Sequence, residues 1–151
     1  MAESSSSAPP STAGLQTFPP PEELYAVADF CLIPMGTGDP SVGKYIAECQ
    51  RVLESFKRNG LAYELRGYGT ELEGPWHLVT RAIHECHRAV HALGAPRIAT
   101  DIRIGTATYK KNTPASAPEG LTSNQYKKWS VLQRLEREKE KDNPASGSSS
   151  S

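Results

Sequence analysis

Eight residues, Gly69-Thr70-Glu71-Leu72-Glu73-Gly74-Pro75-Trp76, constrain the fold of this chain more than any others, because they carry a strand, a stop and a helix start in sequence. Thr70 to Leu72 reads as the end of a strand. Gly74 breaks it, and Pro75 supplies the fixed φ favoured at a first helical position. A chain that must reverse from strand to helix within one turn has few layered architectures open to it.

The flanking patterns narrow the choice. Tyr25 to Ile33 alternates with period two, with Ala28, Phe30 and Leu32 on one face and Val27, Asp29, Cys31 and Ile33 on the other. Both faces are largely apolar, so the strand is expected to be covered on both sides. Pro34 to Gly38 ends it in a turn. Asp39 then reads as an N-cap with Pro40 in the first turn, and Val42, Tyr45, Ile46, Cys49, Val52, Leu53 and Phe56 follow helical spacing to a stop at Asn59-Gly60. Ala62 to Arg66, a Gly67-Tyr68 turn and Gly69 to Glu73 form a hairpin. Pro75 to Leu93 is a second amphipathic helix, with Val79, Ile83, Cys86, Val90 and Leu93 on its buried stripe and Gly94 as C-cap. Arg97 to Ile104 is a last strand whose isoleucines, Ile98, Ile102 and Ile104, are expected to face the helices. The order βαββαβ predicts an α+β, ferredoxin-like domain over 24–109: four antiparallel strands with both helices on one face. A linker over 110–120 and a C-terminal helix over 121–141 follow. The Ser/Pro-rich 1–23 and the Ser-rich 142–151 are expected to be disordered tails, since neither offers an apolar pattern to offset the entropy of ordering.

Composition excludes several functions. The 151 residues hold 17 basic and 17 acidic side chains, and residues 24–109 hold 9 of each, so there is no basic footprint for nucleic acid. No apolar run approaches membrane-spanning length. Three cysteines without metal-like spacing read as buried thiols, and with no secretory or mitochondrial leader pattern the expected location is cytoplasmic.

The candidate chemistry is sparse. His77, His84, His87 and His91 share one side of the second helix, with His87 and His91 at i, i+4, but no further donor stands in register to complete a metal set, so a polar flank is preferred. Asp101 and Arg103 on the last strand, Asp29 on the first, and Glu71 and Glu73 on the third fall on the open sheet face. They could hold a small charged ligand or form salt bridges across a subunit interface. Trp76 could offer a stacking surface. Thr37 and Ser41 flank a helix N-terminus whose free N–H groups could hold an anion. No nucleophile-base pair or phosphate-cradling loop is visible.

Three segments resemble the thiamine-binding-protein-like family: Ala28 to Thr37 with Ser41-Val42 and Lys44 to Ala47; Gly69 to Trp76; and His87 to Val90, Gly94-Ala95 and Arg97 to Ile104. The resemblance covers 25–106, while the Ser/Pro tail and Pro114 to Gly120 are extra. It implies a ferredoxin-like fold, homodimers or homotetramers built through sheet faces, no catalysis, no cofactor or metal, and binding of thiamine or its hydroxymethylpyrimidine part. On the matched positions the expected ligand residues are Thr37, Ser41, Thr70, Glu73, Trp76, Asp29, Asp101 and Arg103. The alternatives are an interaction oligomer without a small ligand and, behind it, an enzyme acting on a thiamine-related compound.

Overall fold

A computed structural model describes residues 24–107 and 114–142. The expected tails and part of the expected linker lie outside the described residues. The elements are β1 (Tyr25–Met35), α1 (Gly43–Phe56), β2 (Ala62–Arg66), β3 (Gly69–Pro75), α2 (Trp76–Ala92), β4 (Arg97–Thr106) and α3 (Ser123–Asp142), with a short 3-10 turn, Lys57–Asn59, after α1. The four strands form one antiparallel sheet in the order β2-β3-β1-β4. This is the ferredoxin-like arrangement that the βαββαβ order predicts, with a third helix appended.

Register assigns the two faces. Ala26, Ala28, Phe30 and Leu32 of β1 are buried against Tyr45, Cys49 and Leu53 of α1 and Val79, Ile83, Cys86 and Val90 of α2. Their neighbours in β1 point the other way, towards Glu71 and Glu73 of β3 and Asp101 and Arg103 of β4, each directly opposite a β1 residue. One sheet face is therefore a hydrophobic core, and the other, the polar face, sets these charged side chains beside Val27, Cys31, Ile33 and Met35 of β1. Tyr45 belongs to the core, as its place on the helical stripe requires.

Four boundaries differ from expectation for local reasons. The Asp39 carboxylate accepts from the Ser41 N–H at 2.8 Å, forming a turn of its own. The helix begins later, at Gly43, with Val42 as its N-cap. Strand β3 runs through Gly74 to Pro75, because Pro75 is extended in ψ and remains paired with Tyr25; Trp76 opens α2 and donates its N–H to the Leu24 carbonyl at 2.7 Å. β1 and β4 each run two residues past their expected ends. Ile98 packs on the core, but Ile102 and Ile104 stay 47% and 37% exposed on the edge strand, on the helix side where the core ends. Within one chain the polar-face residues of β1 are half-buried or exposed.

Gly69 shows why the hairpin needs glycine where β3 begins. A Cβ there would sit 2.9 Å from the Phe30 carbonyl oxygen, a backbone atom that cannot step aside.

Candidate functional site

β1 has eleven residues and β3 seven. Their pairing stops at Phe30 and Thr70, while β1 and β4 continue paired to Met35 and Arg97. From Cys31 to Met35 the first strand thus has β4 on one side and no strand on the other. The gap is a cleft of about 550 Å³ between the β2–β3 hairpin tip, the first half of α1 and this strand edge. Its walls are mostly apolar: Phe30, Leu32, Ile33, Pro34, Val42, Ile46 and Leu65. A few polar groups converge on it, namely Gln50 of α1, Thr70 of β3, Arg66 of β2 and Asp101 of β4. Tyr68, at the hairpin tip, is 94% exposed and stands at the rim.

Thr70 is buried on the helix side of the sheet, where its hydroxyl accepts from Gln50 Nε2 at 3.2 Å. Arg66 is held by Glu64 at 2.9 Å and Glu71 at 3.1 Å, and its guanidinium is raised above its ordinary pKa chiefly by the hydrogen bond to Glu71. Its Nε is buried and has no hydrogen-bond partner among the described residues.

Of the residues expected at a ligand site, this cleft brings together Thr70 and Asp101. The others are placed elsewhere. Thr37 donates its hydroxyl to the Asp39 carbonyl at 3.0 Å, so it and Ser41 shape the loop before α1 and do not cap the helix. Asp29 and Arg103 form a two-point ion pair on the polar face. That pair holds the Asp29 carboxyl below the ordinary aspartate range. Trp76 lies at the start of α2 and is 39% exposed.

Glu73 has the most specific surroundings. Only 4% exposed, its carboxylate accepts the Ser123 N–H at 2.7 Å, the Asn124 N–H at 3.1 Å and the Tyr25 hydroxyl at 3.1 Å. Burial, and then the negative charge of Glu73, pushes the Tyr25 hydroxyl up to about 12. Glu73 and Thr70, grouped together from the sequence, lie on opposite faces of β3: one holds the root of α3, the other opens to the cleft.

Sequence reasoning missed Gln50, Arg66, Tyr68 and the free strand edge. A length mismatch was the available signal, since the alternation in β1 outruns that in the returning strand. The histidines are occupied locally. His87 Nε2 lies 2.7 Å from the Thr100 hydroxyl and His91 Nδ1 2.7 Å from the Ala95 carbonyl, and desolvation followed by the neighbouring His91 and His84 lowers the His87 pKa. Among the described residues, no three His, Cys, Asp or Glu side chains converge as metal ligands. Cys49 and Cys86 are buried, the Cys86 thiol donating to the Cys49 carbonyl at 3.8 Å, whereas Cys31 is half-buried in the cleft wall. No helix among the described residues is long and apolar enough to cross a membrane.

A family model described as thiamine-binding protein matches residues 28–119, which include every residue lining the cleft. A UPF0045 protein of Synechocystis is 47% identical over 90 residues, 60% of this chain and 71% of that protein. A UPF0045 protein of Bacillus subtilis is 36% identical over 100 residues, covering 66% and 96% of the two chains. Among solved structures, a protein from Methanocaldococcus jannascii is 32% identical, covers 60% of this chain and 88% of that one, and superposes with a TM-score of 0.49. From the first strand to the loop before α3, this chain belongs to the thiamine-binding protein family.

Proposed function

We propose that this chain binds thiamine, or its hydroxymethylpyrimidine moiety, in the cleft beside the free edge of β1, as a homo-oligomer and without catalysing a reaction. The observation that carries this reading is the cleft itself. Its volume is in the range of small-molecule sites, its walls are mostly apolar, and a few polar groups converge on it. An aminopyrimidine needs donors and acceptors along one edge and an apolar surface for its faces. Gln50, Thr70 and the free edge of β1 beyond Phe30 supply the first, while Ile46, Leu65 and Tyr68 supply the second. Asp101 offers a negative charge to a cationic thiazolium. The Arg66 guanidinium, paired with Glu64 and Glu71, adds a positive charge to the cleft wall.

Titration calorimetry with thiamine, its phosphates and hydroxymethylpyrimidine tests the reading. Saturable heat is expected from one of them. Thr70→Val and Asp101→Ala are each expected to weaken it about tenfold, which is the loss of one hydrogen bond or charge partner at the upper end of the usual range. Glu73→Gln, at the root of α3 and outside the cleft, is expected to leave the affinity unchanged. No heat from any of the compounds in folded, assembled protein would overturn the proposal.

A further inference from the structure

We propose that Cys49 and Cys86 form a redox pair: a hydroperoxide entering the cleft oxidises Cys49 at its floor, and Cys86 resolves the product as a reversible disulfide joining α1 to α2. Neither step depends on the ligand reading above.

Placement carries the argument. Cys49 and Cys86 belong to the inward stripes of α1 and α2 and meet in the core, 2% and 0% exposed. The Cys86 thiol donates to the Cys49 carbonyl at 3.8 Å, although the two residues are 37 apart in the chain. Neighbouring thiols in an apolar core can be there for packing, since cysteine behaves as a small hydrophobe. Two features set this pair apart. Cys49 also lines the cleft, whose volume of about 550 Å³ readily admits hydrogen peroxide, whereas Cys86 stands behind it. The pair is also polarised. Hydrogen bonding between the two thiols lowers the Cys49 thiol below its ordinary pKa and raises that of Cys86. The sulfur on the cleft side thus gains thiolate character while the one behind it keeps its proton, the division of labour that attack and resolution require.

The chemistry balances with the peroxide as the sole oxidant. The Cys49 thiolate attacks one peroxide oxygen, the O–O bond breaks, and the hydroxide released takes up a proton to leave as water. Cys49 is then a sulfenic acid. The Cys86 sulfur attacks the Cys49 sulfur, the S–O bond breaks, and the hydroxyl departs as water with the Cys86 proton. Two thiols have lost two electrons and two protons, and one peroxide has become two waters. A dithiol reductant reverses the product by thiol exchange. Cys31, the third thiol, lines the cleft from the polar face of β1, opposite Asp101, and is the most exposed of the three. It serves as an internal reference for access.

Peptide mapping of the full-length protein tests the pair. The reduced protein is treated with hydrogen peroxide, remaining thiols are blocked with N-ethylmaleimide, and trypsin is applied without reductant. Cleavage after Lys44, Arg51, Arg81 and Arg88 places Cys31 in residues 1–44, Cys49 in 45–51 and Cys86 in 82–88. One linked species is expected, 45–51 joined to 82–88, lighter than the two peptides by two hydrogens and lost with dithiothreitol. In urea the order should differ, because loop closure in an unfolded chain favours Cys31 with Cys49, the pair nearer in sequence. A native digest dominated by 1–44 joined to 45–51 would therefore mean that oxidation passes through unfolding, and overturns the proposal. Recovery of Cys49 and Cys86 as blocked thiols, at a peroxide dose that oxidises every Cys31, also overturns it. Cys31→Ser is expected to leave the rate of linking unchanged. Cys86→Ser keeps a donor beside Cys49 and is expected to halt the reaction at the Cys49 sulfenic acid, trapped by dimedone on 45–51. If Cys49→Ser instead gives a dimedone adduct on 82–88 at that same rate, Cys49 is not the thiol attacked and the assignment falls.

Discussion

The two faces of the sheet are built on opposite principles. On one, Leu53, Leu72, Val79 and Val90 have no exposure, and α1 and α2 close over β1 and β3 by apolar burial with the Gln50–Thr70 hydrogen bond beside it. On the other, charges are matched in the plane of the strands: Asp29 with Arg103, and Arg66 with Glu64 and Glu71. The helix that reaches this face has no fully buried residue, and the N–H groups of its first turn are held by the Glu73 carboxylate. Apolar burial is non-directional and scales with area, so the first face can hold the domain together. Paired charges near solvent contribute little net stability but fix geometry. The same four strands thus keep stability on one side and leave the other free for association.

The sharpest way to break this comparison is to remove the same side-chain volume from each side. Leu53→Ala leaves a cavity in a core that cannot collapse around it, and a loss of about 2–5 kcal/mol is expected by denaturant unfolding. Leu132→Ala on α3 should fall within about 0.5 kcal/mol for the dissociated chain, the usual range for a surface site. Comparable losses at the two positions would mean that α3 belongs to the cooperative unit of the domain, and that the faces are not separate.

Glu73→Ala is the intermediate case. It orphans the N–H groups of Ser123 and Asn124, and about 0.5–2 kcal/mol is expected, the usual cost of losing a helix N-cap. The loss should be local. Hydrogen exchange is expected to speed up through the first turns of α3 while β1, β3 and both core helices keep their protection. Faster exchange throughout the sheet would show that Glu73 also supports the fold on which α3 is seated.

Element order was legible from the sequence because it rests on periodicity, which each segment carries in itself: two in β1, 3.6 in α1 and α2. What was hidden depends on choices between equivalent uses of one residue. The Asp39 side chain can cap a helix or close a turn with Ser41, and the two look alike in sequence. The fixed φ of Pro75 suits the end of a strand as well as the start of a helix. Glu73 read as a ligand carboxylate because its partners are backbone N–H groups fifty residues away, and backbone groups leave no trace in composition. Two of the four polar groups that converge on the cleft, Thr70 and Asp101, were legible. The rest comes from two strands of unequal length and from Gln50, whose role appears only when α1 is laid over the sheet.

The smallest effect expected is at the ion pair between Asp29 and Arg103, and its size tests whether the polar face contributes stability. The hydrogen bond from Arg103 lowers the carboxyl pKa of Asp29, outweighing the opposing effect of partial burial. The folded protein therefore binds this proton less readily than the unfolded chain. The stabilisation is complete above the ordinary aspartate value near 3.9 and is lost as pH falls below it, through the lowered value. Arg103 is 87% exposed on its side chain, so solvent and salt screen most of the interaction. Arg103→Ala is expected to return the carboxyl of Asp29 towards its ordinary titration, followed by carbon NMR, while leaving the unfolding midpoint at neutral pH almost unchanged. A restored titration with an unchanged midpoint keeps the comparison intact. A midpoint that falls as far as in Glu73→Ala would mean that the charges on this face stabilise the fold directly, and the division between the two faces would have to be abandoned.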